Sequence, residues 1–186
     1  HAVLFAGEFE DALQPTAPAT GDGGFYGPIG DLVVGGNGQP VAVTFKSQVM
    51  QRRPIEFTFD DGTRIQSCRD QQWLAWNQLD RDSGRPPRVV TTQQIVDQPK
   101  VGWLIPIAVP AEGLHNAPMR AVADQHPEGH RTIRSWRALP EAGPVQCIAV
   151  DSDDRTYVAT RDYIVTHNSS AVRWWLLHQT AKDPDG

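Results

Sequence analysis

An all-β fold is what this chain of 186 residues encodes, and three observations point to it. Glycine (16) and proline (15) are abundant and spread along the sequence, which suits many short strands joined by turns. The apolar residues gather in short runs of strand length. The dipeptides Asn37-Gly38 and Asp61-Gly62 stand between such runs and are strong hairpin signals. A hydrophobic fraction of 39% is enough for one compact core.

The elements follow in order. Ala2–Ala6 is an apolar strand that turns polar at Gly7–Asp11, and Ala12–Pro28 is a loop rich in Gly, Pro, Thr and Ala. Short strands are expected at Asp31–Val34, Val41–Val49, Ile55–Asp60 and Thr63–Cys68, parted by turns at Gly35–Gly38 and Asp60–Gly62. Gln71–Leu79, with Trp73 and Trp76, reads as a short helix or a strand end. Arg88–Thr92 is a strand, and Thr91/Thr92 open a helical turn through Val96. Gly102–Val109 is an apolar strand, whereas Ala111–His130 shows the least pattern and reads as a loop. Arg131–Leu139, Pro144–Asp151, Thr156–Ala159 and Tyr163–Thr166 complete the strands. Ala171–Thr180 reads as a helix capped by Ser169 or Ser170 and ended by Lys182–Gly186.

Composition removes several classes of function. A net charge of −5 argues against a broad phosphate-binding surface, so no nucleic-acid partner is expected. No apolar run reaches membrane-spanning length and the first residues carry no signal-peptide pattern. A cytoplasmic monomer without cofactor or metal is the expectation. Cys68 and Cys147 form neither a disulfide framework nor a zinc pattern, and a cytosolic chain keeps them reduced. One can be a nucleophile and the other a core residue. His115, His126 and His130 read as solvated loop residues.

The chemistry concentrates in Tyr163-Ile164-Val165-Thr166-His167-Asn168-Ser169. An Asn can turn its side-chain nitrogen onto its own carbonyl, closing a succinimide and cutting the chain after Asn168. His167 can donate a proton to the leaving amine or polarise the carbonyl. The Ser169 hydroxyl can hold an acyl group before the cut.

A β-rich segment ending in His-Asn-Ser resembles the C-terminal splice junction of inteins. Gly30–Val43 looks like the stretch after their first splicing block, and Phe57–Ile65 like the strand leading into the second. Val145–Asp151, Arg155–Val158 and Thr166–Ser169 look like their C-terminal blocks in order. The resemblance implies the Hedgehog/intein horseshoe of mostly antiparallel strands. It divides the chain into an N-extein fragment (1–11), a mini-intein (12–168) without a homing endonuclease, and a C-extein fragment (169–186) with a helical tail.

The chain departs from the family at the N-terminal junction. Most inteins begin with Cys or Ser, whereas Ala12 has no heteroatom to attack the carbonyl of Asp11. A minority class lacks that nucleophile and carries a Trp–Cys–Thr triplet, which Trp73, Cys147 and Thr166 match. That resemblance implies attack by Cys147 on Asp11–Ala12, transfer of the acyl group to Ser169, and cyclisation of Asn168. Thr166 would assist Cys147, and Trp73 would exclude water. Cys68 and Gln71 stand where many inteins have the ends of a Thr-x-x-His motif, so Cys68, Asp70 or Gln71 is a supporting candidate, with Asp151 beside the site. Arg155 stands near where some relatives have His. The partners are the chain's own exteins, with a P-loop ATPase such as a phage terminase or helicase as the host. The competing readings are an ordinary intein disabled at Ala12, a self-cleaving domain without ligation, and a β-rich binding module.

Overall fold

The computed structural model describes residues 32–109, 117–160 and 162–167. The strand expected at Ala2–Ala6, the junction residues Asp11, Ala12, Asn168 and Ser169, His115 and the helix at Ala171–Thr180 lie outside the described residues. Those described are dominated by antiparallel strands, as the turn signals require. They are β1 (Leu32–Val34), β2 (Pro40–Lys46), β3 (Met50–Arg52), β4 (Ile55–Phe59), β5 (Arg64–Ser67), β6 (Gln72–Asn77), β7 (Arg88–Thr91), β8 (Trp103–Pro106), β9 (His130–Ala138), β10 (Gly143–Val145), β11 (Ile148–Val150), β12 (Thr156–Val158) and β13 (Val165–His167). Three short helices interrupt them: α1 (Gln78–Asp82), α2 (Thr92–Asp97) and α3 (Ala117–Gln125).

An eight-stranded sheet runs β12-β13-β6-β8-β9-β4-β5, with β7 added to β6, and it curls through β9. The first part of β9 pairs with β8 and the rest with β4, with a register shift at Thr58/Phe59. Such irregularities bend a sheet. A three-stranded sheet β1-β2-β11 and a pair β10-β3 complete the ladders. The main core lies under the large sheet, around Ile55, Phe57, Phe59, Trp73, Ile95, Trp103, Ile105 and Ile164. A second cluster joins Val33, Val41, Val43, Ile148, Val150 and Tyr157.

Both expected turns form for the reason given by their residues. Gly62 has φ +86° and Gly38 φ +79°, conformations that disfavour a side chain. Asp61 Oδ1 accepts from the Thr63 amide at 2.9 Å and closes the β4–β5 turn. Gly36 is confined by space instead. A Cβ there would stand 2.1 Å from Thr156 Oγ1 and 3.0 Å from Val165 Cγ1. The β1–β2 turn is thereby packed against β12 and β13.

Four expectations are corrected. Ala111–His130 is not all loop, because α3 occupies Ala117–Gln125. Ala, Met, Arg and Gln favour helix there, Pro118 is tolerated in the first turn, and Met119 is buried. Val41–Val49 ends at Lys46, and a separate strand, β3, follows. Gln71–Leu79 resolves into strand β6 and then α1, where the Asn77 side chain accepts from the Asp80 amide as an N-cap. Pro144–Asp151 is two strands, β10 and β11, broken at Gln146-Cys147. They diverge because β10 pairs with β3 and β11 with β2.

The tight seat of Gly36 leads to a stability prediction. Gly36→Ala should lower the unfolding free energy by about 1–3 kcal/mol, the usual cost of overpacking, with the loss read from a denaturant midpoint.

Candidate functional site

The candidate site forms where β13 meets the start of β6. Among the described residues, His167 stands opposite Gln72 in their register. Gln72 is also paired with Thr91 of β7, so its backbone is held by both neighbours. Side chains alternate along β6, and Gln71, Trp73 and Ala75 all face inward and are buried.

Gln71 is the hub of the hydrogen bonds. Its Nε2 lies 2.5 Å from Thr166 Oγ1, 3.0 Å from the Gln72 carbonyl and 3.2 Å from the His167 carbonyl. A carboxamide nitrogen carries two hydrogens, so at least one is shared. Thr166 Oγ1 accepts from Gln71 and donates to the Gln72 carbonyl at 2.9 Å. The fully buried Thr166 hydroxyl is thereby held toward β6. Gln71 itself is fixed by its turn, since its amide donates to the Cys68 carbonyl at 3.1 Å and its carbonyl accepts from the Thr92 amide at 2.9 Å.

Both cysteines are buried, and burial pushes the Cys68 thiol well above the ordinary range. The Asp70 carboxylate adds to the rise, as does the neighbouring Cys147. Cys147 sits in the break between β10 and β11. Its amide donates to Ser47 Oγ at 2.9 Å and its carbonyl accepts from the Ser47 amide at 2.9 Å. Gln146 Nε2 reaches the Ser47 carbonyl at 2.8 Å, so Ser47 clips the loop to the end of β2. Tyr157, fully buried and paired with Thr166 across β12–β13, has its phenol raised first by burial and then by Cys147 and Cys68. Cys68, Cys147 and Tyr157 therefore share one electrostatic environment.

Trp73 lies deep in the main core. Its ring meets Phe57 edge-on at 6.0 Å between centroids, and its indole N–H donates to Thr92 Oγ1 at 2.8 Å. Thr92 Oγ1 also contacts Ser67 Oγ at 2.9 Å. Asp151 is exposed at the end of β11, with its amide donating to the Ala42 carbonyl. Arg155 is exposed too, with φ +54°. His126 departs from the solvated-loop expectation: its side chain is mostly covered and its Nε2 stands 3.2 Å from both Arg131 Nε and Asp61 Oδ2. His130 is likewise covered, with Nε2 3.4 Å from Glu128 Oε2. Among the described residues, no three His, Cys, Asp or Glu side chains are grouped to hold a metal. None of the described helices is long and apolar enough to cross a membrane.

Sequence reasoning missed Gln72, Ser47 and Tyr157. Their contacts depend on strand register, which residue types alone do not reveal. A signal for Gln72 existed in its place beside Gln71 at the head of an alternating strand.

No protein-family model matches the sequence, and no curated protein matches it. Among solved structures, the chain is similar to the Msm DnaB1 intein splicing domain, which was crystallised with zinc bound, at 24% identity and a TM-score of 0.50, covering 75% of this chain and 83% of that one. It is also similar to the MchDnaB-1 intein, at 26% identity, TM-score 0.48 and coverage of 75% and 84%. The gp41-1 intein matches at 15% identity, TM-score 0.49 and coverage of 75% and 81%. The fold is that of an intein splicing domain.

The setting of Cys68 gives a prediction with a defined sign. An unfolded thiol releases its proton near 9.0, whereas folded Cys68 keeps it. Above that pH the unfolded state binds fewer protons, so stability falls as pH rises. The expected slope from Cys68 is about 1.4 kcal/mol per pH unit. Cys68→Ala should flatten the loss between roughly pH 9 and 10 in a denaturant series.

Proposed function

We propose that this chain is an intein that excises itself and joins its flanks, with residues 12–168 as the splicing domain. The flanks are residues 1–11 and 169–186. The observation that carries the reading is the convergence at β13. The strand leading into His167-Asn168-Ser169 is tied through Thr166 to Gln71, whose turn carries Cys68, and Cys147 adjoins them. The intein fold supports the same reading.

The reaction needs no outside energy, because one peptide bond is exchanged for another. The Cys147 thiol loses its proton and the sulfur attacks the carbonyl carbon of Asp11. The bond to Ala12 breaks and its nitrogen leaves as an amine, taking up a proton. The acyl group is then a thioester on Cys147. The Ser169 oxygen attacks that thioester, and the sulfur leaves as the thiol. Asn168 closes on its own carbonyl and releases the Ser169 amine. That amine takes the acyl group from the Ser169 oxygen, leaving an amide between Asp11 and Ser169.

Ala12 has no atom that can begin this sequence, so the first attack falls to a side chain elsewhere. Burial and Asp70 hold the Cys68 proton in place, and Cys147 is the cysteine that the Trp–Cys–Thr resemblance assigns to the attack. Trp73 contributes from the main core, whose packing holds the start of β6 in place. Thr166 acts through its bonds to Gln71 and Gln72, holding the junction strand in register. The host is a P-loop ATPase in this reading, because the sequence of 1–11 joined to 169–186 has the pattern expected of a strand and loop before a helix.

The test places the chain between two marker domains, with and without Cys147→Ala. The expected products are ligated markers and a free fragment ending at Asn168, both lost in the variant. Equal splicing by both would assign the nucleophile elsewhere. Cleavage after Asn168 alone in both would mark an intein disabled at Ala12.

A further inference from the structure

We propose that Gln72 is a positioning residue for His167, setting which imidazole nitrogen carries the proton; the inference rests on the splicing reading above. Gln72 and His167 are register partners across β6 and β13, so their side chains rise from the same face of the sheet. Gln72 Oε1 lies 3.3 Å from His167 Nδ1. A carboxamide oxygen accepts and never donates, so this contact is a hydrogen bond only when Nδ1 carries the proton. Gln72 therefore selects the tautomer with N–H at Nδ1 and the lone pair at Nε2.

The carboxamide can impose that choice because its own backbone is fixed. Gln72 is paired with Thr91 on one side and His167 on the other. Its carbonyl accepts from Thr166 Oγ1 and Gln71 Nε2. His167 is restrained as well, since its carbonyl accepts from the same Gln71 amide. The two glutamines thus hold the last strand residue before Asn168 by both its backbone and its ring.

The selected tautomer suits the cyclisation. The Asn168 side-chain nitrogen bonds to its own carbonyl carbon, and the bond from that carbon to the Ser169 nitrogen breaks. One proton must leave the Asn168 amide and one must reach the departing amine. A neutral imidazole with its lone pair at Nε2 can take the first proton and return it as the second, so charge and atoms balance. The opposite tautomer presents N–H at Nε2 and cannot accept there. Gln72 does not touch the reacting atoms and acts only through His167.

Two measurements on the chain between marker domains decide the matter. The first is the 15N signature of the His167 ring in an Asn168→Ala background, where the junction stays intact. It should show the Nδ1–H tautomer, and Gln72→Leu should move the ring toward Nε2–H. The second is step-resolved kinetics. Gln72→Leu should slow cleavage after Asn168 by about 10- to 100-fold, a share of what a positioned acid–base group contributes, while branched thioester forms at the parent rate. Gln72→Glu, which keeps an acceptor oxygen, should restore most of the rate. An Nε2–H tautomer in the parent, an unmoved tautomer in Gln72→Leu, or equal slowing of both steps would overturn the proposal. If the parent forms no branched species and no cleavage product, the splicing reading fails, and the ring signature still decides whether Gln72 holds His167.

Discussion

The attachment of β13 to β6 is the constraint on which the rest of the site depends. Among the described residues, β13 has three residues, pairing with β12 along its length and with β6 at His167–Gln72. Side-chain bonds reinforce the attachment to β6: Gln71 supplies donors to Thr166 and the His167 carbonyl, and Thr166 returns a donor to the Gln72 carbonyl. Gln71 and Thr166 are buried, so each would carry a desolvation cost if left without its partner. That cost makes the register specific, because a slip by one residue would turn Thr166 away from Gln71.

A second brace holds the other end of the same strand. Tyr163, just before β13, is buried with φ +55°, an unfavourable conformation for a bulky side chain. Arg131, buried on β9, donates from Nη1 to the Asp162 carbonyl at 2.5 Å and from Nε to Asp61 Oδ2 at 2.8 Å. Burial works to raise the Asp61 carboxyl, but bonds from the Thr63 amide and hydroxyl and the Arg131 charge outweigh it and hold it below its ordinary value. The Ala108 amide donates to the Tyr163 carbonyl at 2.8 Å. The junction strand is therefore fixed at its start by an ionic tie to the β4–β5 turn and at its end by the two glutamines.

Much of this was legible from residue types. Asn37-Gly38 and Asp61-Gly62 named their hairpins, because the glycines adopt the φ values that such turns require. The apolar alternation of Ile55–Phe59 and the apolar run Trp103–Pro106 marked buried strands. What was not legible depended on partners distant in sequence. The break at Gln146-Cys147 arises because β10 and β11 pair with different strands, a choice invisible in the local pattern. Gln71 occupies a place from which the resemblance expected help at the N-terminal junction, but its amide bonds toward the C-terminal one. Helix α3 was hidden by its polar flanks, although Met119 and Val122 are spaced as one helical face. Asn168 and Ser169, whose roles rest on chemistry alone, lie outside the described residues.

The central claim is that an acyl group passes through Cys147, and the most direct measurement is peptide mapping by mass spectrometry of an Asn168→Ala chain carrying both marker domains. That substitution blocks cyclisation and should trap branched species. The account requires the N-terminal segment ending at Asp11 to be joined to Cys147 or Ser169, with the Cys147 adduct released by hydroxylamine. A linear chain with an intact Asp11–Ala12 bond, or an adduct on Cys68, would contradict it.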